Sequence, residues 1–238
     1  MLDRDLAGWT ARPRPSALVL EGRWCRLERF DPAIHGDSLY AASIARGADA
    51  RFRYLFEPPP ANRAEFDAWA ERAATGQDPF FYAVVDAATG QAEGRQALMR
   101  ITPEHGVIEI GSILWGQKVA RTRMATEALY IAAAHVFDAL GYRRFEWKCD
   151  ALNEPSRRSA LRFGFQFEGV FRQHMVVKGK NRDTAWFAII DAEWPAIRAG
   201  MERWLDAGNF DSEGRQRLSL AETRIQGALQ PSTVSRRR

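Results

Sequence analysis

The chain has 238 residues, enough for one folded domain with a short appendage. With 46% hydrophobic and 27% charged residues, 8 Trp and 14 Phe it is globular rather than disordered; no apolar run approaches the ~18 residues of a membrane span, and two cysteines, Cys25 and Cys149, are too few for a disulfide scaffold or a zinc cluster. The net charge of +4 is concentrated at one end: Arg215 to Arg238 hold six Arg and one Glu, leaving the other 214 residues at −1, which argues against the folded body as a nucleic-acid surface.

The N-terminus, MLDRDLAGWTARPRP, lacks the basic and apolar regions of a secretory signal, so a reducing cytoplasm is the expected compartment. Residues 1–19 read as an N-terminal extension, 20–206 as the domain, and 207–238 as a basic, flexible tail. GRWCRLERF (22–30) reads as a short strand. Asp31-Pro32 opens a helix through His35, Leu39 and Ala42, by the rule of a cap followed by proline. Pro58-Pro59-Pro60 breaks the chain, and Asn62 caps a second helix with Phe66, Trp69 and Ala73 on one face. Three strands follow, in PFFYAVVDAATG (79–90), GRQALMRITPEHG (94–106) and VIEIGSILW (107–115), and their short turns imply an antiparallel meander. A long amphipathic helix is predicted from Thr122 to Leu140, ended by Gly141. Beyond it come a strand in YRRFEWKCDAL (142–152), a short helix from Pro155 to Phe163, and strands FQFEGVFRQHMVV (165–177) and TAWFAIID (184–191) joined by the loop KGKNRD. A final helix spans Glu193 to Leu205. This order predicts an α+β domain with a mixed, mostly antiparallel sheet flanked by helices, in which the long helix crosses between two parallel strands.

Three features in series then carry a resemblance. Thr126-Glu127-Ala128 opens the long helix; Asn153 and Ser156 form an N-x-x-S before a helix that ends in Gly164-Phe165; FEGVFRQH and KGKNRDTAWFAI close the domain. Together these resemble the Gcn5-related N-acetyltransferases, in their RimJ/RimL-like branch, over about Leu20 to Trp194. The resemblance implies a V-shaped splay between two parallel strands, with acetyl-CoA as co-substrate and no metal. It implies that the backbone of Ile113, Leu114 and Trp115 bonds the pantetheine arm, and that the start of the long helix, Arg121, Thr122, Arg123, Met124, Ala125 and Thr126, receives the diphosphate. The family's phosphate loop, Q/R-x-x-G-x-G/A, aligns with Ala120, Arg123 and Ala125, so only Ala125 keeps the pattern; Arg121 and Arg123 are the substitute anion ligands.

Acyl transfer to an amine needs a proton acceptor, an oxyanion site and a proton for the leaving thiolate. Glu109 is the candidate base, on the strand face of Gly111 and Ile113; if that face meets solvent it is an ordinary surface carboxylate. The family's acid, a tyrosine four residues before Gly-Phe, is replaced by Ala160, which leaves Ser156 or a bound water. Asn153 is both a helix cap and a contact to the cofactor. His135 on the apolar stripe reads as a packed, satisfied histidine, His174 as a possible second base near the acceptor cleft, and His35 and His105 form no metal cluster. Phe52, Tyr54, Phe56 and Trp69 are expected to border the acceptor, a small-molecule amine or a protein N-terminus. A homodimer is compatible with the sequence. So are two other roles: a non-catalytic acyl-CoA sensor, or a ribosome- or nucleic-acid-associated protein using its C-terminal arginines.

Overall fold

The structure is a computed structural model and describes residues 5–229. Its eight strands form one sheet in the order β1-β2-β3-β4-β5-β6-β8-β7. They are β1 (Val19–Glu21), β2 (Cys25–Arg29), β3 (Phe80–Asp86), β4 (Ala92–Thr102), β5 (Val107–Trp115), β6 (Arg144–Asp150), β7 (Gln166–Val177) and β8 (Lys180–Ile190). All neighbours are antiparallel except β5 and β6. The helices are α1 (Pro32–Ile44), α2 (Ala48–Phe52), α3 (Arg63–Thr75), α4 (Arg123–Ala134), α5 (Glu154–Phe163), α6 (Trp194–Leu205) and α7 (Leu220–Leu229). This is the α+β, mixed-sheet architecture the sequence predicts.

Both faces of the sheet are covered at β3, which explains why that strand reads as a continuous apolar run. Phe80, Tyr82 and Val84 face α4 in the larger core, with Leu98, Ile108, Leu129 and Phe145. Phe81, Ala83 and Val85 face the opposite way, against Leu39 of α1 and Phe66 and Ala70 of α3. The two early helices start where their caps place them. Asp31 Oδ1 accepts from the Ala33 amide at 2.8 Å, and Asn62 Oδ1 from the Glu65 amide at 3.0 Å.

The structure departs from the sequence reading at four places. The first strand is a hairpin of β1 and β2 whose turn is held from a distance: the buried Glu127 carboxylate accepts from the amides of Arg23, Trp24 and Cys25 at 2.7–2.8 Å. The long helix stops at Ala134 and continues as a π-helical turn, His135–Ala139. KGKNRD is not a loop, because Lys178 and Gly179 both have positive φ and make a two-residue turn, which leaves Lys180 onward in β8. Residues 207–229 are not a free tail. Leu220 is buried, and α7 lies so close to α6 that a Cβ on Gly200 would meet the Arg224 backbone at 3.1 Å. Of the six C-terminal arginines, Arg224 is thus packed and Arg215 pairs with Asp211 and Glu213, while Arg236, Arg237 and Arg238 lie outside the described residues. No helix among the described residues is long and apolar enough to cross a membrane.

Candidate functional site

The parallel pair comes apart partway along. β5 and β6 are in register from Val107↔Arg144 to Ile110↔Trp147 and no further, although β5 stays on β4 to Trp115 and β6 on β8 to Asp150. From Gly111 onward the β6-facing edge of β5 has no neighbouring strand, so backbone groups there open on a cleft. A bulge steers this edge: Ser112 has φ +48°, and Nη1 of the buried Arg95 donates to the Ser112 carbonyl at 3.2 Å. Arg95 also pairs with Glu57, tying the segment after α2 to the same point.

The cleft has two lobes. The outer one, about 840 Å³, runs from Trp115 across the start of α4 to Pro155 and Ser159 of α5. Thr122, the N-cap of α4, turns its hydroxyl away, donating to the Val119 carbonyl at 2.7 Å, and its own amide bonds Val119 as well. The amides of Arg123, Met124 and Ala125 therefore begin the helix without capping partners, at its positive end. Arg121 adopts φ +64° just before them. Arg123 is already helical, so it needs no glycine; its guanidinium lies 4.9 Å from the Trp24 ring and 5.6 Å from Phe210. Trp115 is fixed through Gln96, whose Oε1 accepts from the indole at 3.2 Å while its Nε2 donates to the Ala128 carbonyl at 3.0 Å. The far wall is built by Trp204, Phe210, Arg215 and Gln216. Most of that wall comes from the segment expected to be flexible. An anion seated here would meet helix amides with Arg121 and Arg162 at the rim, and the donor set fits a diphosphate.

The inner lobe, about 110 Å³, lies where the strands part. Glu109 lines it and is buried rather than facing solvent. Arg100 Nη1 donates to both of its oxygens at 2.8 Å, and Lys148 Nζ lies 2.9 Å from Oε2 and 2.6 Å from Glu146 Oε2. Asp150 is the second carboxylate of this lobe. Its Oδ1 accepts from the Leu152 amide at 2.9 Å, and no donor among the described residues meets Oδ2. Ser156 accepts from the Trp147 indole at 2.9 Å and lies beside the Cys149 thiol, whose pKa burial raises. Asn153 caps α5, its Oδ1 accepting from the Ser156 amide at 3.2 Å, which leaves Nδ2 without an acceptor among the described residues. Tyr54 crosses the lobe to donate to the Leu152 carbonyl at 3.1 Å.

Ile113, Trp115, Arg121, Thr122, Arg123, Ala125, Glu109, Asn153 and Ser156 thus gather along one cleft. The side chains of Leu114, Met124 and Thr126 do not reach it; they are buried, and Thr126 accepts from Arg162 Nη1 at 3.0 Å. Met124 retains its open backbone amide, whereas the Thr126 amide belongs to the intrahelical ladder. Tyr54 and Phe56 border the inner lobe; Phe52 and Trp69 instead line a separate cavity under α3. His174 is exposed and bonded to Thr184, outside the cleft. His135 is packed but not satisfied, since its buried Nε2 has no hydrogen-bond partner among the described residues. His35 is bonded to Glu28, and the described residues contain no group of side chains able to hold a metal. Asp150, Lys148, Arg100 and Arg182 were not singled out by sequence; only their convergence in space marks them.

Comparison with known proteins agrees with this geometry. The Acetyltransferase (GNAT) domain model matches residues 26–166. The crystal structure of a GCN5-related N-acetyltransferase from Brucella melitensis is 56% identical, covers 92% of this chain and 99% of its own, and superposes with a TM-score of 0.90. The uncharacterized N-acetyltransferase YoaA of Bacillus subtilis is 37% identical over 70 residues, 29% of this chain and 40% of that protein. RimL, a ribosomal L7/L12 α-N-protein acetyltransferase solved with coenzyme A, shares the fold over 73% of this chain and 99% of its own, at 19% identity and a TM-score of 0.62.

Proposed function

The chain belongs to the GNAT acetyltransferase family, and on that premise we propose that it moves an acetyl group from acetyl-CoA to a primary amine by direct attack. The observation that carries this reading is the parting of β5 and β6 at Gly111, which joins an anion-accepting outer lobe to an inner lobe with an uncommitted carboxylate oxygen. The free edge of β5 from Gly111 to Trp115 would bond the pantetheine amides as an added strand does. The Arg123, Met124 and Ala125 amides, with Arg121 and Arg162, would hold the diphosphate.

In the inner lobe the division of labour follows from which lone pairs are free. Glu109 accepts three close N–H contacts from two cations, so its part is to position Arg100 and Lys148. Asp150 Oδ2 takes the amine proton. Backbone amides at the Ser112 bulge face the developing oxyanion, and collapse of the tetrahedral intermediate breaks the C–S bond. Ser156, oriented by the Trp147 indole, relays to the thiolate the proton that Asp150 took from the amine, and Asn153 Nδ2 steadies the arm beside it. Cytoplasmic work goes with this reading, as both cysteines are buried and unpaired.

Calorimetric titration with acetyl-CoA beside ATP, then thiol release across a panel of amines, tests the proposal. Binding of acetyl-CoA near micromolar, on the order of −8 kcal/mol, with amine-dependent thiol release is expected. Binding without release by any amine would replace the enzyme with a non-catalytic acyl-CoA sensor.

A further inference from the structure

Among the cations of the inner lobe, the guanidinium of Arg182 makes no hydrogen bond or close ion pair with any described residue. It sits early in β8, across from Met175 of β7, and is only 7% exposed. Its guanidinium lies 5.0 Å from the Phe56 ring, its buried Nε has no hydrogen-bond partner, and no carboxylate or carbonyl among the described residues accepts from its other nitrogens. The neighbouring cations are all engaged. Arg100 is on Glu109, Lys148 on Glu109 and Glu146, and Arg51 on the carbonyls of Ala45 and Arg46 that end α1. Asp150 acts on Arg182 through space without a hydrogen bond between them, and burial pulls the guanidinium below its ordinary pKa.

A buried guanidinium nitrogen without an acceptor is costly, because a donor that loses water there gains nothing in return. Its planar fork matches a carboxylate in two parallel bonds. We propose that the acceptor amine carries a carboxylate, which Arg182 binds inside the inner lobe while the amine turns to Asp150. The acceptor is then a small amino acid rather than the N-terminus of a protein, whose α-carboxyl is consumed in a peptide bond. The size of the lobe agrees, and Phe56, Met99 and Trp147 give it apolar walls for a short side chain. This inference rests on the acetyl-transfer reading, but binding can be measured without transfer.

The test uses the full chain saturated with coenzyme A and titrates the twenty L-amino acids, each paired with its C-terminal amide. At least one acid should bind ten-fold or more tightly than its amide. Arg182→Gln should erase that difference, Arg182→Lys should restore part of it, and acetyl-CoA affinity should stay unchanged in both. In turnover the loss should fall mainly on the KM for the amine. If Arg182→Gln does not fold, the acid–amide comparison on the natural chain decides alone. Equal binding of acids and amides, no binding by any acid, or a preference that survives Arg182→Gln overturns the proposal. So does a preference confined to peptides with Asp or Glu near the N-terminus. Acid-selective binding without thiol release keeps the clamp and removes the transfer reading; turnover indifferent to the carboxylate does the reverse.

Discussion

The two lobes of the cleft handle charge in opposite ways. The outer lobe presents exposed arginines and open helix amides, all donors, on a wide and wet surface. The inner lobe is narrow and buries both signs together, Glu109 and Glu146 on Lys148, while the exposed Arg100 joins the same network from its edge. In water-rich surroundings each contact is worth little alone, so affinity for a polyanion is spread over many groups and survives the loss of one. In the inner lobe Glu109, Glu146 and Lys148 are desolvated, and removing one leaves its buried partner exposed to the full penalty. Substitutions should therefore act gradually in the outer lobe and abruptly in the inner.

The largest expected effect tests the abrupt side. Asp150→Asn should lower kcat/KM by about 10²–10⁴-fold and remove the acidic limb of its pH profile, while acetyl-CoA affinity stays within about two-fold. Glu109→Gln should also lower turnover, through loosened Arg100 and Lys148, but leave the acidic limb in place. Measuring both profiles separates the proton acceptor from the positioning carboxylate. If Glu109→Gln alone removes the limb, the roles are exchanged.

Next in size is a change that couples the fold to the outer lobe. A methyl group on Gly200 would press on the Arg224 backbone, so Gly200→Ala should push α7 from α6 and cost about 1–3 kcal/mol by urea denaturation. Because Phe210 and Gln216 precede α7 and wall the outer lobe, acetyl-CoA binding should weaken several-fold with inner-lobe chemistry otherwise intact. Unaltered acetyl-CoA affinity in a destabilised variant would show that this wall does not touch the cofactor.

The lobes also differ in how far the sequence discloses them. The donors of the outer lobe lie mostly in one stretch, Arg121 to Ala125, where a helix start and an ordered set of short motifs can be read directly. The inner lobe draws Tyr54, Arg100, Asp150 and Arg182 from four separate places in the chain, each among ordinary polar residues. Glu109 was legible because it stands on the strand that parts; its saturation was not, since Arg100 reaches it only through the bulge after Met99. The wall built by 207–216 was hidden by its composition, because polarity reads as a loose end unless the buried contacts of Phe210 and Leu220 are known.

Arg121 offers a smaller test of the gradual side. An L-residue at φ +64° costs roughly 1 kcal/mol relative to glycine, so Arg121→Gly should leave stability unchanged or raised by about that amount. Acetyl-CoA affinity should fall less than ten-fold, and the fall should shrink with added salt. A loss of a hundred-fold would mean that one arginine dominates the outer lobe and that the contrast between the lobes is wrong.

The smallest effect lies at the other end of α4, yet it bears on every pH profile of the inner lobe. Burial depresses the pKa of His135 below its ordinary 6.5, and Nε2 has no partner to offset that. Between the folded value and 6.5 the unfolded chain holds a proton that the folded chain does not, so stability is undiminished above 6.5 and declines as pH falls below it. An acidic loss of activity could then come from the fold rather than from Asp150. His135→Leu removes the unpaired nitrogen, should stabilise by up to about 1 kcal/mol below that pH, and should flatten the dependence of the urea midpoint between pH 7 and 5. With the fold's own titration removed, an acidic limb that persists in the His135→Leu enzyme and vanishes only with Asp150→Asn belongs to the inner lobe. A urea midpoint that falls just as steeply in His135→Leu would place the acid sensitivity of the fold in other groups.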